Sequence, residues 1–130
     1  MSRSAEKVRV LLVDDEQQVR EAVGLMLAEA GCEVVLAQNG IEALDRFRDW
    51  PQDVVITDLA MPGKDGFQTI RELKNLSPQV KIIAISGAAY SPCLSGGLDA
   101  ARRLGADQVL AKPFSFRELT ESLNVLLQVV

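Results

Sequence analysis

Histidine is absent from the 130 residues, and cysteine occurs only twice. Without histidine, the chain cannot form a Ser-His-Asp or Cys-His catalytic group, a histidine metal site or a phosphohistidine of its own. Cys32 and Cys93 stand far apart in the chain, without the close spacing of a zinc or redox pair. Any chemistry on this chain must therefore use carboxylates, hydroxyls and amines.

Long apolar runs and an excess of basic residues are also missing. No run approaches the roughly 20 residues of a membrane-spanning helix, and residues 1–7 lack the apolar centre of a secretion signal. We therefore expect a cytoplasmic protein that does not contact a membrane. Lys plus Arg number 14 against 18 Asp plus Glu, which gives a net charge of -4. This balance disfavours contact with a phosphate backbone, and we expect no direct binding of nucleic acid.

The composition is that of a single folded domain with an aliphatic core. Hydrophobic residues make up 48% of the chain, charged residues 25% and aromatic residues only 5%. A length of 130 residues leaves too little chain for a second core. We place one domain at residues 6–129 and expect no second domain.

Short aliphatic runs alternate with helical patterns along the whole chain. Continuously apolar strands that alternate with helices are typical of a parallel sheet covered by helices on both faces. The pattern therefore predicts an α/β fold, a doubly wound five-stranded parallel sheet in a (βα)5 three-layer sandwich. The predicted strands are residues 8–13, 33–37, 53–57, 81–85 and 108–111, and the helical patterns cover residues 19–30, 41–47, 67–76, 98–104 and 119–127.

Local signals mark several helix ends. Gly31 and Gly105 stand where helices should stop, and Pro51 disfavours helix at the preceding residue. Ser115 and Glu118 have the spacing of a capping box, which predicts the start of the last helix.

Acidic, hydroxyl or amino side chains follow four of the five predicted strands. Ligands of open parallel sheets bind outside the carboxyl ends of the strands, so these side chains should meet at one edge. Three carboxylates drawn together would repel by about 3 kcal/mol per pair at an effective dielectric near 20, and we therefore expect a divalent cation among them. The residues are Asp14, Asp15 and Glu16 after the first strand, Asp58 after the third, Ser86 after the fourth and Lys112 after the fifth.

The chemistry of this set suits a phosphoryl group. Oxygen ligands without histidine or cysteine favour Mg²⁺ or Mn²⁺. Asp58 is the candidate nucleophile for a covalent acyl phosphate, and Lys112 would balance the charge of the phosphoryl oxygens. Each residue alone also has a simpler interpretation, such as a helix cap for Asp14 and Asp15 or a turn for Asp58. The occurrence of all of them at strand ends favours the functional interpretation.

Four segments in this order resemble response-regulator receiver domains, which are CheY-like and have a flavodoxin-like fold. The resemblance covers essentially the whole chain. The segments are residues 11–15 (LLVDD), residues 54–66 (VVITD and MPGKDG), Ser86, and Lys112 with Pro113 and Phe114.

The resemblance implies a role for each matched residue. Asp58 is the phosphoacceptor, and Asp14 and Asp15 hold Mg²⁺ together with Asp58 and the backbone carbonyl of Ala60. Ser86 stands at the position of the hydroxyl that turns toward the phosphoryl group.

Lys112 stands at the position of the family's lysine, and its bond to Pro113 is commonly cis in the family. The resemblance further implies a signalling domain rather than an enzyme, with self-catalysed, Mg²⁺-dependent phosphorylation and dephosphorylation. Its partners would be a sensor histidine kinase or a histidine phosphotransfer protein and a downstream protein target. Partner binding would switch through the region after Ser86 and the last strand and helix. We expect a monomer or a weak dimer.

The sequence departs from the family at two places. Val109 stands where receivers usually carry an aromatic residue, and a β-branched side chain cannot swing in the same way. The spacing between Ser86 and Lys112 is several residues longer than usual, with the excess in residues 88–97. We therefore expect activation to move the backbone after Ser86, and an extended loop that influences the choice of partner.

Other functions stay open at this point. A hydrolase of the haloacid-dehalogenase type needs a second carboxylate two residues after Asp58, where Ala60 stands. A flavin or nucleotide binder of this architecture needs a phosphate loop after the first strand, where three acidic residues stand instead. A receiver-like interaction module that is never phosphorylated, and an intermediate in a phosphorelay, are further alternatives.

Overall fold

The computed structural model describes residues 7–59, 66–86 and 105–127. The helical pattern at 98–104 and the expected loop at 88–97 lie outside the described residues. Within the described ranges, no helix is both long enough and apolar enough to cross a membrane. The elements are β1 (Arg9–Val13), α1 (Gln17–Glu29), β2 (Glu33–Ala37), α2 (Gly40–Asp49), β3 (Val54–Asp58), α3 (Gly66–Leu76), β4 (Lys81–Ser86), β5 (Gln108–Ala111) and α4 (Phe116–Leu127).

The five strands form one sheet in the order β2-β1-β3-β4-β5. Every neighbouring pair is parallel, so the predicted doubly wound parallel sheet is confirmed. β3 and β4 each extend one residue beyond the predicted run, so that Asp58 and Ser86 are the last residues of their strands. All strand carboxyl ends therefore lie along the same edge of the sheet, as expected.

The core is divided between the two faces of the sheet, because successive strand residues point to opposite sides. One cluster packs α2 and α3 against the sheet, and the other packs α1 and α4. The first contains Leu11, Val13, Val55, Ile82, Ala84, Leu44, Phe47, Ile70 and Leu73, and the second contains Val10, Leu12, Ile56, Ile83, Ile85, Val23, Leu27, Leu119 and Leu123.

The helix ends agree with the local sequence signals. α1 ends just before Gly31, whose φ of 90° suits glycine. α2 begins after Asn39, whose side chain accepts a hydrogen bond from the Glu42 backbone N–H at 2.8 Å. The predicted capping box is confirmed, since Ser115 and Glu118 exchange backbone-to-side-chain hydrogen bonds at 2.9 and 3.0 Å. These caps fix where each helix leaves the sheet.

Candidate functional site

Three aspartates converge at the carboxyl edge of the sheet. Carboxylate oxygens of Asp14, Asp15 and Asp58 all lie within 4.8 Å of one another. Asp14 is fully buried and Asp58 is 4% exposed, whereas Asp15 is exposed. They meet because β1 and β3 are hydrogen-bonded neighbours, and Asp14 and Asp15 follow the end of β1 while Asp58 ends β3. The predicted gathering of carboxylates is confirmed.

Lys112 reaches this cluster from β5. Its Nζ lies 2.9 Å from Asp58 Oδ2 and 3.1 Å from Asp14 Oδ2, with Glu16 Oε1 farther away at 3.9 Å. The strand β4 separates β5 from β3, so the long lysine side chain spans the end of β4 to make these contacts. Groups that are distant in the sequence therefore share one small charged site.

The charge of Lys112 is held by its two aspartate partners. Partial burial by itself lowers the pKa of the ammonium group, because burial disfavours the charged form. Hydrogen bonds to Asp58 and Asp14, together with their negative charges, outweigh burial and raise the pKa above the ordinary lysine value. Lys112 is therefore a permanent cation at neutral pH.

The buried carboxylate of Asp14 is fixed in orientation. Its Oδ1 accepts a hydrogen bond from the Glu16 backbone N–H at 2.9 Å, while Oδ2 contacts Lys112. Its backbone carbonyl also accepts a hydrogen bond from Arg20 Nη1 at 2.6 Å. Arg20 on α1 was not among the residues that the sequence pattern singled out, because its contact is to a backbone atom.

Ser86 lies at the same edge, as predicted. It is 1% exposed, and its backbone carbonyl accepts a hydrogen bond from the Lys112 N–H at 2.7 Å. The Lys112-Pro113 peptide bond is cis, which agrees with what the resemblance implied. Ala60, predicted to offer its backbone carbonyl to a metal, lies outside the described residues.

Val109 lies on β5, three residues before the lysine. It is half-buried and packs against the core cluster on the face of α2 and α3. The expectation that it alters the switch stays a prediction.

Gly66 is a site residue whose role the sequence interpretation missed. Gly66 ends the segment 54–66 that carries the family resemblance, and it is the first residue of α3. A Cβ at this position would overlap the backbone carbonyl oxygen of Asp58 and lie 2.5 Å from Leu59 Cα. Only glycine lets the start of α3 approach the backbone of the candidate acceptor so closely.

The donor set fits a hard divalent cation. The clustered ligands are carboxylate oxygens, which Mg²⁺ and Mn²⁺ prefer. Lys112 Nζ donates to two of these three carboxylates, those of Asp14 and Asp58, at 3.1 and 2.9 Å. The cluster is therefore compatible with a metal site.

Comparison with known families gives one match over most of the chain. The family model of the response regulator receiver domain matches residues 10–124. Among curated proteins, the response regulator MprA of a Mycobacterium species (strain KMS) is 37% identical over 121 residues, which cover 93% of this chain and 51% of that relative. The chain thus spans about half the length of this curated relative.

Solved structures give the same result for the fold. CheY4, a chemotaxis protein of Vibrio cholerae, has a TM-score of 0.84 at 31% sequence identity, covering 93% of this chain and 99% of that one. The receiver domain of NtrX from Brucella abortus has a TM-score of 0.85 at 28% identity, covering 93% and 99% of the two chains.

Proposed function

The chain belongs to the response regulator receiver domain family, and from this premise we propose that Asp58 accepts a phosphoryl group and thereby switches the binding of a protein partner. The observation that carries the proposal is the contact of Lys112 Nζ with both Asp58 and Asp14, at 2.9 and 3.1 Å. A receiver of this kind is a signalling domain rather than a classical enzyme.

The proposed transfer is a displacement at phosphorus. A carboxylate oxygen of Asp58 forms the new P–O bond while the bond from phosphorus to a donor nitrogen or oxygen breaks. The leaving atom keeps the electron pair of that bond; a histidine leaving group takes up a proton from solvent, whereas an acyl phosphate releases a carboxylate. The donor is a phosphohistidine of a sensor histidine kinase or of a histidine phosphotransfer protein, or a small acyl phosphate. Burial of Asp58 supports the assignment, because it limits access of water to the acyl phosphate.

Charge balance assigns roles to the other residues. Asp14, Asp15 and Asp58 would hold Mg²⁺, with Mn²⁺ as an alternative, and Ala60 would add its backbone carbonyl. A bound divalent cation neutralises charge on the phosphoryl oxygens. Lys112 already contacts Asp58, so its ammonium group would need little movement to contact an oxygen of a phosphoryl group on that residue. With these groups on the receiver, phosphorylation and dephosphorylation are self-catalysed.

Ser86 would couple phosphorylation of Asp58 to the surface of the domain. Ser86 is the last residue of β4 and directly precedes the region that we expect to move. Its backbone carbonyl accepts a hydrogen bond from the Lys112 N–H. A new dianion beside the Ser86 hydroxyl would favour one of two arrangements of the backbone after Ser86. A downstream protein would bind the surface formed by this region, β5 and α4, and would therefore respond to the change. The proposal includes one receiver domain at residues 6–129, a cytoplasmic location and a monomer or weak dimer.

Incubation with acetyl phosphate and Mg²⁺, followed by intact-mass measurement, tests the proposal. The wild type should gain the mass of one phosphoryl group, and the Asp58→Asn variant should gain none. Asp53→Asn is a matched control, because Asp53 stands just before the same strand, and it should still gain the mass. A wild type that stays unmodified, or an Asp58→Asn variant that is modified equally, would contradict the assignment. Transfer onward to a histidine phosphotransfer protein would identify a phosphorelay intermediate.

A further inference from the structure

Lys112 directly follows β5, the shortest of the described strands. β5 has four residues and lies at an edge, where β4 is its one partner strand within the described ranges. An edge strand has ladder hydrogen bonds on one side only, so its ends fray more easily than those of a central strand. The contacts of Lys112 with Asp58 and Asp14 therefore depend on how β5 is held.

Asp107, the residue just before β5, holds its start. The Asp107 backbone N–H donates to the Ile82 carbonyl at 2.8 Å, and the Asp107 Oδ2 accepts from the Ile82 N–H at 2.8 Å. Both backbone groups of one β4 residue are thus bound by one aspartate. At the other end of β5, the Lys112 N–H donates to the Ser86 carbonyl at 2.7 Å.

Lys74 supports the same aspartate from α3. Its Nζ lies 3.3 Å from Asp107 Oδ2 and donates to the Val80 carbonyl at 2.6 Å. The stem of Lys74 packs against Gly105, where a Cβ would lie only 2.8 Å from Lys74 Cγ. The start of β5 is therefore fixed by charge, by hydrogen bonds and by close packing.

Register decides whether Lys112 can reach the site. A slip of one residue moves a strand by about 3.3 Å and turns its side chains to the opposite face. Contacts of 2.9 and 3.1 Å would not survive that movement. We propose that Asp107 is a positioning residue: acting through β5, it holds the Lys112 ammonium group against Asp58 and Asp14. The consequence for phosphoryl transfer rests on the function proposed above.

Asp53 provides a matched control within the same sheet. Its backbone N–H donates to the Arg9 carbonyl at 2.9 Å, and its Oδ2 accepts from the Arg9 N–H at 2.9 Å. The bonds match those of Asp107, but they hold the start of β3, which is paired on both sides. Loss of the Asp53 carboxylate should therefore leave the position of Lys112 unchanged.

The test compares Asp107→Asn and Asp107→Ala with Asp53→Asn and Asp53→Ala, after circular dichroism has shown which variants are folded. At saturating acetyl phosphate and Mg²⁺, Asp107→Ala should lower the phosphorylation rate about tenfold, because the lysine is displaced from the reacting groups. Asp107→Asn should lower the phosphorylation rate less, since its side-chain oxygen can still accept the hydrogen bond from the Ile82 N–H. The Asp53 variants should stay within about twofold of the wild-type rate, because their site is remote from Lys112.

Mg²⁺ affinity separates positioning from general distortion. A displaced Lys112 no longer competes with a cation for Asp58 and Asp14, so the Asp107 variants should bind Mg²⁺ as tightly as the wild type or more tightly. Distortion of the whole site would weaken Mg²⁺ binding in parallel with the rate. A parallel loss, or a rate loss no larger than that of the matching Asp53 variant, would overturn the proposal.

A third measurement does not need phosphorylation. The hydrogen-bonded Lys112 ammonium protons should give an NMR signal protected from exchange with water in the wild type and in Asp53→Ala. The signal should be lost or broadened in Asp107→Ala. An unchanged signal there would overturn the positioning role even if the wild type accepts no phosphoryl group, and absence of phosphorylation alone would contradict only the proposed function.

Discussion

At the amino edge of the sheet, Asp53 and Asp107 each accept a backbone N–H from the neighbouring strand, whereas at the carboxyl edge Asp14 and Asp58 share the ammonium of Lys112. The amino-edge carboxylates are separated from one another and hold strands in register. The carboxyl-edge carboxylates lie, together with Asp15, within 4.8 Å of one another. The same residue type thus stabilises one edge and concentrates negative charge at the other.

The two edges differ in electrostatic repulsion, which is concentrated among the clustered carboxylates of the carboxyl edge. Asp53 and Asp107 are each stabilised by a backbone N–H group, and Asp107 also pairs with Lys74. Carboxylates that face each other depend on a cation, either Lys112 or a metal ion. The stability changes caused by substitutions at the two edges should therefore depend differently on Mg²⁺.

The largest effect is expected from Lys112→Met. In the absence of divalent ions, this change should lower the free energy of unfolding by about 3 kcal/mol, because it leaves buried Asp14 and Asp58 without their ammonium partner. Saturating Mg²⁺ should recover part of the loss. Urea unfolding with EDTA and with Mg²⁺ measures both values.

Lys74→Met is the matched control for that experiment. Both lysine side chains are 20% exposed and both bind an aspartate, but Asp107 also accepts the Ile82 N–H. The Lys74 variant should be about 1 kcal/mol less stable than the wild type, and this difference should be the same with EDTA and with Mg²⁺. Equal losses in the two variants, or Mg²⁺ recovery in both, would show that the edges do not differ.

The contribution of Lys112 to the free energy of unfolding should also depend on pH in the alkaline range. Because its pKa is raised in the folded protein, the stabilisation is complete below the ordinary lysine pKa of about 10.4. It is lost as the pH rises through the raised folded-state value. The stability difference between wild type and Lys112→Met should therefore shrink only on the alkaline side of that range.

Gly66→Ala should have the next largest effect and tests geometry rather than charge. The new Cβ would overlap the Asp58 carbonyl, and relief of this overlap should cost about 2 kcal/mol. The loss should be the same with and without Mg²⁺. In Gly24→Ala, the control on α1, the Cβ meets Leu36 at an ordinary 3.7 Å, so this variant should gain up to about 1 kcal/mol from helix propensity. A Gly66→Ala variant as stable as the wild type would contradict the close approach.

The sequence predicted the sheet and the meeting of Asp14, Asp58 and Lys112, because continuous aliphatic runs define buried parallel strands and their ends share an edge. It did not predict the roles of Gly66, Asp53 and Asp107. Their contacts join backbone atoms far apart in the chain, and residue type and periodicity carry no information about which N–H a loop carboxylate reaches. The two predicted strand ends at 57 and 85 were one residue short, because a polar last residue does not extend an apolar run.

Asp15→Asn should change the metal-free stability least and the response to Mg²⁺ most clearly. Asp15 is exposed, so removing its charge from the cluster should stabilise the metal-free protein by less than about 1 kcal/mol. Mg²⁺ at 100 times its dissociation constant should add about 2.7 kcal/mol to the wild type, and Asp15→Asn should lose most of that increment at the same concentration. Asp45→Asn, an equal charge change at an exposed position of α2, should keep the full Mg²⁺ increment. Thermal unfolding across a Mg²⁺ titration measures these increments. If Mg²⁺ stabilises Asp15→Asn as much as the wild type, Asp15 is not a ligand of the proposed metal site.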